Sequence, residues 1–248
     1  MRQLMRQPMN RFEKKIALIT GGSRGIGAGV AKRLAAEGAE VIITYAASKE
    51  KADEVVKDIA QNGGSAHSLK ADATNPAAMT ELADTVLTKY GQPNILVNNA
   101  GIFEGGTLEG ISETALDKTL NVNVKSLFLL TQLMTKHMES DGRIINIGSC
   151  LGERATFAGA SPYNMSKFAV SGLTRSWAWD LAERKITVNA VLPGPIATDM
   201  GDPNAAGITA LKRLGTVDEV ASAVAFLASD EASFITGAQL EVDGGANA

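Results

Sequence analysis

Seven short apolar, β-branched runs recur along the chain, at residues 15–20, 40–45, 65–71, 94–98, 142–148, 186–192 and 238–242, most of them bounded by Gly, Asn or Asp. Helical periodicity fills the intervals: Val30 and Leu34 after the first run, Val55, Val56 and Ile59 after the second, Val220, Val224 and Leu227 before the last. Helix start signals agree. Asn75 precedes Pro76 as N-cap before an N1 proline, and Thr216 precedes Glu219 at the spacing of a capping box. Strands that alternate with helices are joined by crossovers, so they lie parallel in a twisted sheet with helices on both faces. Unbroken apolarity at residues 16–19 and 95–97 fits strands buried on both sides. The expected fold is α/β, one doubly wound parallel sheet of seven strands, with ligands beyond the strands' carboxyl ends where strand order reverses.

The remaining composition narrows the function. With 248 residues, 45% of them hydrophobic and no Pro/Ser-rich linker, the chain reads as one domain over residues 13–248, after a polar overhang at residues 1–12 in which Met5 or Met9 is an alternative start. A net charge of -3 offers no basic face to a nucleic acid. No apolar run approaches the roughly 18 residues of a membrane span, and the first residues lack the apolar centre of a secretory signal. A single cysteine, Cys150, excludes an internal disulfide, and His67 and His137 lack ligand spacing. A cytoplasmic, metal-free protein is expected.

The first strand runs into Thr20-Gly-Gly-Ser-Arg-Gly-Ile-Gly27 and then into a helical pattern. In a dinucleotide site Gly21 would permit the tight turn, Gly25 a close approach of backbone to pyrophosphate, and Gly27 close helix–strand packing, with Ser23, Arg24 and Ile26 at the positively polarised helix start. An ordinary strand-to-helix turn is the alternative for such a string taken alone. Sites that take NAD usually carry Asp or Glu about 20 residues on, for the ribose 2′-hydroxyl. Here that position is Thr44-Tyr45, and Glu40 lies at the wrong end of the strand. Arg24, Ser48 and Lys49 would suit a 2′-phosphate, which points to NADPH/NADP over NAD, although solvated surface charges would look the same.

Tyr163 and Lys167 stand four apart at a helix start and project from one face. A phenol of pKa about 10 is a poor proton donor at neutral pH unless a nearby cation lowers it, and Lys167 is spaced to do so. Ser149, at the end of the fifth run, would reach the same sheet edge and stabilise developing alkoxide charge. A surface Tyr–Lys pair would give the same spacing by chance.

Taken together, the Gly21–Gly27 string, Asn98-Asn-Ala-Gly101, Ser149, Tyr163-X-X-X-Lys167 and Pro193-Gly194 resemble, in order and spacing, the short-chain dehydrogenase/reductase family from about Lys14 onward. The resemblance implies a Rossmann-type fold and a hydride-transferring oxidoreductase. It also implies Tyr163 as acid/base, Ser149 orienting the carbonyl, Lys167 on the nicotinamide ribose, and Asn123 anchoring a water in a proton relay. Asp72 and Ala73 would line the adenine, Asn99 the adenosine side, and Ile196 and Thr198 the carboxamide, with Ala100, Gly101, Pro193 and Gly194 completing the cofactor set. For Asn98–Gly101 a polar turn tying central strands together is an equal reading.

Within the family the texture is similar to carbonyl reductases and 3-oxoacyl-[acyl-carrier-protein] reductases. The acidic stretch His137-Met-Glu-Ser-Asp-Gly142 argues against docking an acidic carrier. The segment near 199–213, a short lid rich in Gly, Pro, Asn and Ala, is expected to leave the pocket open to bulky ketones. Pro193-Gly-Pro-Ile-Ala-Thr-Asp199 is also similar to members that bind cyclic-di-GMP as regulators. The resemblance further implies a homotetramer built on helices near residues 112–139 and 163–183, where Trp177 and Leu181 form an apolar stripe that core packing would equally explain. Cys150 reads as a small buried hydrophobe.

Overall fold

A computed structural model of the chain describes residues 10–248. Strands β1 (Ile16–Ile19), β2 (Glu40–Tyr45), β3 (Ser65–Lys70), β4 (Ile95–Asn98), β5 (Arg143–Ile147), β6 (Thr187–Pro193) and β7 (Gln239–Val242) form one sheet in the order β3-β2-β1-β4-β5-β6-β7. All six pairings are parallel. The seven predicted runs are the seven strands to within a residue or so at each end.

The pleat sends alternate residues of the central strands to opposite faces, so one apolar run serves two cores. Ala17, Ile19, Val41, Ile43, Ile145 and their neighbours pack under α1 (Gly25–Ala36), α2 (Lys49–Gln61) and α7 (Val217–Ala228). Leu18, Ile42, Leu96, Ile144 and Val188 face the other way, under α3 (Pro76–Lys89), α5 (Ser126–Thr135) and α6 (Ser161–Asp180). Each fully buried side chain of this size stabilises the fold by roughly 1.5–3 kcal/mol. Both predicted caps form: Asn75 accepts from the Ala77 N–H ahead of Pro76, and Thr216 and Glu219 make the reciprocal capping box.

The expected long helix at 112–139 is broken. α4 (Glu113–Leu120) passes into a π-helical turn, Asn121–Lys125, before α5. The extra residue in that turn brings Asn123 inward, where its side chain is bonded on both edges. The expected overhang also ends sooner than residue 12. Phe12 is 1% exposed and its N–H donates to Glu37 O at 2.9 Å, while Arg11 pairs with Glu37 and Glu231. One aromatic ring over the β2 entrance and a half-buried ion pair make residues 11 and 12 part of the fold. Met1–Met9, including the alternative start positions, lie outside the described residues. Trp177, on α6, is buried in the core and Leu181 packs against that core, so the stripe they form belongs to the subunit's own core. Among the described residues no helix is long and apolar enough to cross a membrane.

Strand order reverses between β1 and β4, because β2 and β3 lie to one side of β1 and β4 to β7 to the other. The crossovers therefore diverge at the carboxyl ends of β1 and β4 and leave a crevice there.

Candidate active site

A cavity of about 1180 Å³ occupies that crevice. Gly21, Ser23, Arg24, Gly25, Ile26 and Gly27 line it at the amino end of α1, and Thr44, Ser48, Asp72, Ala73, Asn99, Ala100 and Gly101 line the neighbouring strand ends. Ser149, Tyr163, Lys167, Pro193, Gly194, Ile196 and Thr198 line it further along the same edge. Of the predicted site residues, Lys49 and Asn123 do not line it.

The glycine loop is shaped by what lies against it. Gly21 has φ +66° and Gly25 φ +54°, where an L side chain is strained. A methyl on Gly27 would meet the Gly21 carbonyl oxygen and lie 2.5 Å from Asn99 Nδ2. α1 starts without a side-chain cap and without an acid in its first turn, so its free N–H groups and positive dipole end face the cavity. That donor set fits the pyrophosphate of a dinucleotide.

The segment after β4 divides its labour. Asn98 is buried and donates to Thr131 Oγ1 and Asn146 Oδ1, both at 2.9 Å, a purely structural network. Asn99 Nδ2 donates to Thr20 O at 2.9 Å and Gly21 O at 3.0 Å, and Thr20 Oγ1 accepts from the Asn99 and Ala100 N–H groups. The polar-turn reading and the cavity-lining reading both hold here: the side chains tie the strands, and the backbone faces the cavity.

At the end of β2 the structure corrects two expectations. Thr44 is 3% exposed and its Oγ1 accepts from the Gly21 N–H at 3.1 Å, so it braces the glycine loop. The exposed cavity-lining positions are Ala46 and Ala47, one and two residues past the strand, and no carboxylate stands at either. Lys49 turns along α2 to pair with Asp53 at 2.5 Å, the favourable i,i+4 contact of a solvated helix face. Sequence reasoning passed over Asp199 and Lys51: Asp199 Oδ2 lies 3.7 Å from Arg24 Nη1 and 3.5 Å from Lys51 Nζ, joining the lid to the glycine loop and α2.

Ser149 lies two residues beyond β5 in extended conformation, and its Oγ accepts from the Leu151 N–H at 3.2 Å. Lys167 Nζ donates to Ile147 O at 2.8 Å and sits 5.5 Å from the centre of the Tyr163 ring. Burial pushes the Lys167 ammonium down to about 8, so it remains mostly cationic at neutral pH. Burial pushes the Tyr163 phenol up, while a hydrogen bond from Ser149 pulls it the other way. The expected lowering of Tyr163 is therefore not what the structure gives: desolvation sets the upward direction, and the Ser149 hydrogen bond is the counterweight. Burial likewise raises the Cys150 thiol, which leaves it a weak nucleophile.

Asn123 stands behind these groups. Its Oδ1 accepts from the Ile102 N–H at 2.9 Å, and its Nδ2 donates to Ile102 O and Ser166 Oγ, both at 3.0 Å. A methyl on Gly101 would lie 3.5 Å from Asn123 Oδ1 and 3.7 Å from Lys167 Nζ, so the two side chains close on the same glycine. The asparagine side chain is thus committed to protein partners and is absent from the cavity wall.

The lid departs from a bare opening. Its stem is zipped where Ala197 N donates to Gly215 O and Gly215 N to Pro195 O, both at 2.9 Å. A 3-10 turn, Ala205–Ile208, carries Ile208 onto the cavity, beside Met200 and Asn204. The segment after β7, which the motifs did not flag, also reaches the site: Ala246 and Asn247 line the cavity, and Asn247 Nδ2 donates to Cys150 O at 2.8 Å.

Residues 21–247 match the family model described as "Enoyl-(Acyl carrier protein) reductase". The 3-oxoacyl-[acyl-carrier-protein] reductase of Salmonella typhimurium is 42% identical over 243 residues, covering 94% of this chain and 98% of that protein. The chain belongs to the short-chain dehydrogenase/reductase family. Versicolorin reductase of Emericella nidulans is 37% identical over 255 residues, covering 95% of this chain and 97% of that one. A short-chain dehydrogenase from Burkholderia cenocepacia, solved in complex with NADP, is 45% identical with TM-score 0.93, over 96% of this chain and 100% of that one. This short-chain dehydrogenase/reductase is accordingly an oxidoreductase whose single Rossmann-like domain is that of its solved relatives.

Proposed function

We propose that the protein reduces a ketone or aldehyde to an alcohol, reversibly, with NADPH as hydride donor. The observation that carries this reading is the gathering of Ser149, Tyr163 and Lys167 on the cavity that also receives the uncapped start of α1. When bound, NADPH would supply the hydride that the carbonyl carbon accepts. Gly21, Ser23, Arg24, Gly25 and Ile26 would hold the phosphates, Asp72 and Ala73 the adenine, Asn99 to Gly101 the adenosine side, and Pro193, Gly194, Ile196 and Thr198 the carboxamide. Supporting NADPH are Arg24 and Ser48 on the cavity wall, which would suit a 2′-phosphate, and the alanines at 46 and 47, where a carboxylate would repel one.

Ser149 and Tyr163 orient the substrate by donating to its oxygen. As alkoxide charge develops, the Tyr163 hydroxyl transfers its proton to that oxygen, a step that requires stabilising the phenolate left behind. The Lys167 ammonium supplies that stabilisation from close by and would also hold the ribose hydroxyls. Asn123 acts one shell out, by fixing Ile102 and Ser166 around the glycine that Lys167 approaches. We place this activity in the cytoplasm. We further propose a homotetramer, since α6 leaves Met165 and Phe168 exposed on one side of the helix.

Initial rates of NADPH and NADH oxidation over a ketone panel test the reading. NADPH-dependent reduction is expected in the wild type, and Tyr163→Phe should lower turnover by roughly 10²–10⁴-fold while leaving the Kd for NADPH within about twofold. Retained turnover in that variant refutes the mechanism. The Salmonella relative's name suggests a second substrate class, carrier-bound 3-oxoacyl chains; rates that rise greatly when acyl-carrier protein replaces a small thiol would favour it.

A further inference from the structure

We infer that the substrate is a ketone bearing a flat aromatic ring, and that Phe103 and Phe157 are the specificity-determining residues that receive it; this rests on the reductase reading above. Phe103 and Phe157 both line the cavity with Tyr163. The Phe103 ring centre lies 5.2 Å from that of Tyr163 at 59° and 6.5 Å from that of Phe157 at 43°, so three rings form a continuous tilted wall that begins at the catalytic phenol. These separations and tilts are those at which aromatic pairs attract beyond simple area burial.

The wall is built rather than incidental. The loops that carry the two phenylalanines are tied together where Gly106 N donates to Gly159 O at 2.9 Å, and Gly159 holds φ +86° to make that approach. A methyl on Gly105 would lie 2.9 Å from Phe103 Cε1, so the ring is seated against bare backbone. Yet Phe103 is 41% and Phe157 52% exposed. Two large apolar rings set side by side and left open toward a cavity gain most from a ligand that covers them.

The surroundings favour a ring over a charged or flexible group. Lys118, which also lines the cavity, is paired with Glu104 at 2.6 Å and offers little free charge. Arg154 lines the same cavity, and a guanidinium plane stacks on aromatic faces. Met200 and Ile208 of the lid add exposed apolar surface. A flexible alkyl chain would gain area burial here but lose rotational freedom on binding. A planar ring gains the same area at lower entropic cost and adds edge-to-face contact with Phe103.

The test compares ethyl 3-oxo-4-phenylbutanoate with ethyl 4-cyclohexyl-3-oxobutanoate, which share ester, ketone and ring size and keep the ring one methylene from the carbonyl. In the wild type kcat/KM for the phenyl compound is expected to exceed that for the cyclohexyl compound by roughly 3- to 10-fold. Phe103→Leu and Phe157→Leu, each checked for unchanged NADPH affinity and melting temperature, should each bring that ratio toward one. A general disturbance of Tyr163 lowers both rates and leaves the ratio intact, so the ratio isolates ring recognition. Reduction of both compounds with a wild-type ratio near one, or a ratio unmoved in both variants, overturns the inference while leaving the reductase reading standing. Reduction of neither compound, nor of any ketone in the wider panel, would instead overturn the reductase reading.

Discussion

Replacing Asn123 by Ala separates a structural asparagine from a catalytic one. The side chain is 2% exposed and makes three hydrogen bonds, to Ile102 N, Ile102 O and Ser166 Oγ. Removing it leaves the Ile102 peptide groups short of partners at the π-helical turn. Each bond contributes about 1 kcal/mol net, and stranding buried partners adds to the loss, so the expected cost is about 3–4 kcal/mol. For a chain of this length, 1 kcal/mol moves Tm by about 2–4 °C, which gives a fall of roughly 6–16 °C in thermal unfolding followed by circular dichroism. Ile102 adjoins Gly101 on the cavity wall, so kcat should fall as well. Asn123→Asp restores the acceptor to the Ile102 N–H but presents a carboxylate to Ile102 O, and should recover only part of the stability. A Tm within about 2 °C of wild type together with a collapse of kcat would refute this account. It would return the asparagine to direct participation in proton transfer.

Other outcomes follow from single contacts. Gly27→Ala drives a methyl into the Gly21 carbonyl and toward Asn99 Nδ2. Overpacking against backbone should cost about 1–3 kcal/mol in urea unfolding and weaken NADPH binding, and unchanged binding would mean that the loop shape is dispensable. Ala46→Asp puts a carboxylate at the exposed cavity position past β2 and should raise the NADH-to-NADPH ratio of kcat/KM at least about tenfold; an unaltered ratio places the 2′ position elsewhere. Lys167 is held down to about 8 by burial, from 10.5. Below pH 8 both folded and unfolded states carry the proton and the burial penalty is at its full value, roughly 3 kcal/mol. Between pH 8 and 10.5 only the unfolded state keeps the proton, so wild-type stability rises with pH. The apoprotein should therefore gain stability relative to Lys167→Met between pH 7 and 10, and a pH-independent difference would show that the ammonium is not desolvated.

What the sequence makes legible is what local chemistry controls. Strand positions are readable because buried β-branched runs have few other uses, and the Thr216 and Asn75 caps because their hydrogen bonds close within three residues. Tyr163 and Lys167 are readable together because helical geometry fixes their relation. Misplaced features depend on distant partners. Thr44 was expected to face the ribose, but the sheet brings Gly21 N to its hydroxyl across 23 residues. Lys49 found a nearer acid in Asp53, whereas Lys51 reaches Asp199 across 148 residues. The π-helical turn has no local signature, since residues 121–125 carry ordinary helix-compatible side chains, and it is defined by what Asn123 reaches on the neighbouring loop.

Distant partners also help to hold Ser149. Ser149 opens a short turn closed by its own backbone, with Gly152 N donating to Ser149 O at 2.8 Å and Glu153 N to Cys150 O at 3.2 Å, and Cys150 O also accepts from Asn247 Nδ2, 97 residues further along the chain. Asn247 is itself oriented by Asp243, whose carboxylate accepts from Asn247 N at 2.9 Å and Gly245 N at 2.8 Å. Asp243 abuts the end of β6, where a methyl on Gly194 would fall 2.6 Å from the Asp243 Cα. The cavity-lining loop at Pro193–Gly194 and the serine turn are therefore braced by one segment, which follows directly on the β6–β7 pairing. β7 is one of the sheet's two edge strands and pairs with β6 alone, so the brace on the serine turn depends on that single pairing. Unpairing β7 from β6 would therefore leave Tyr163 and Lys167 on their helix while releasing the Asn247 contact that ties the serine turn to the Pro193–Gly194 loop.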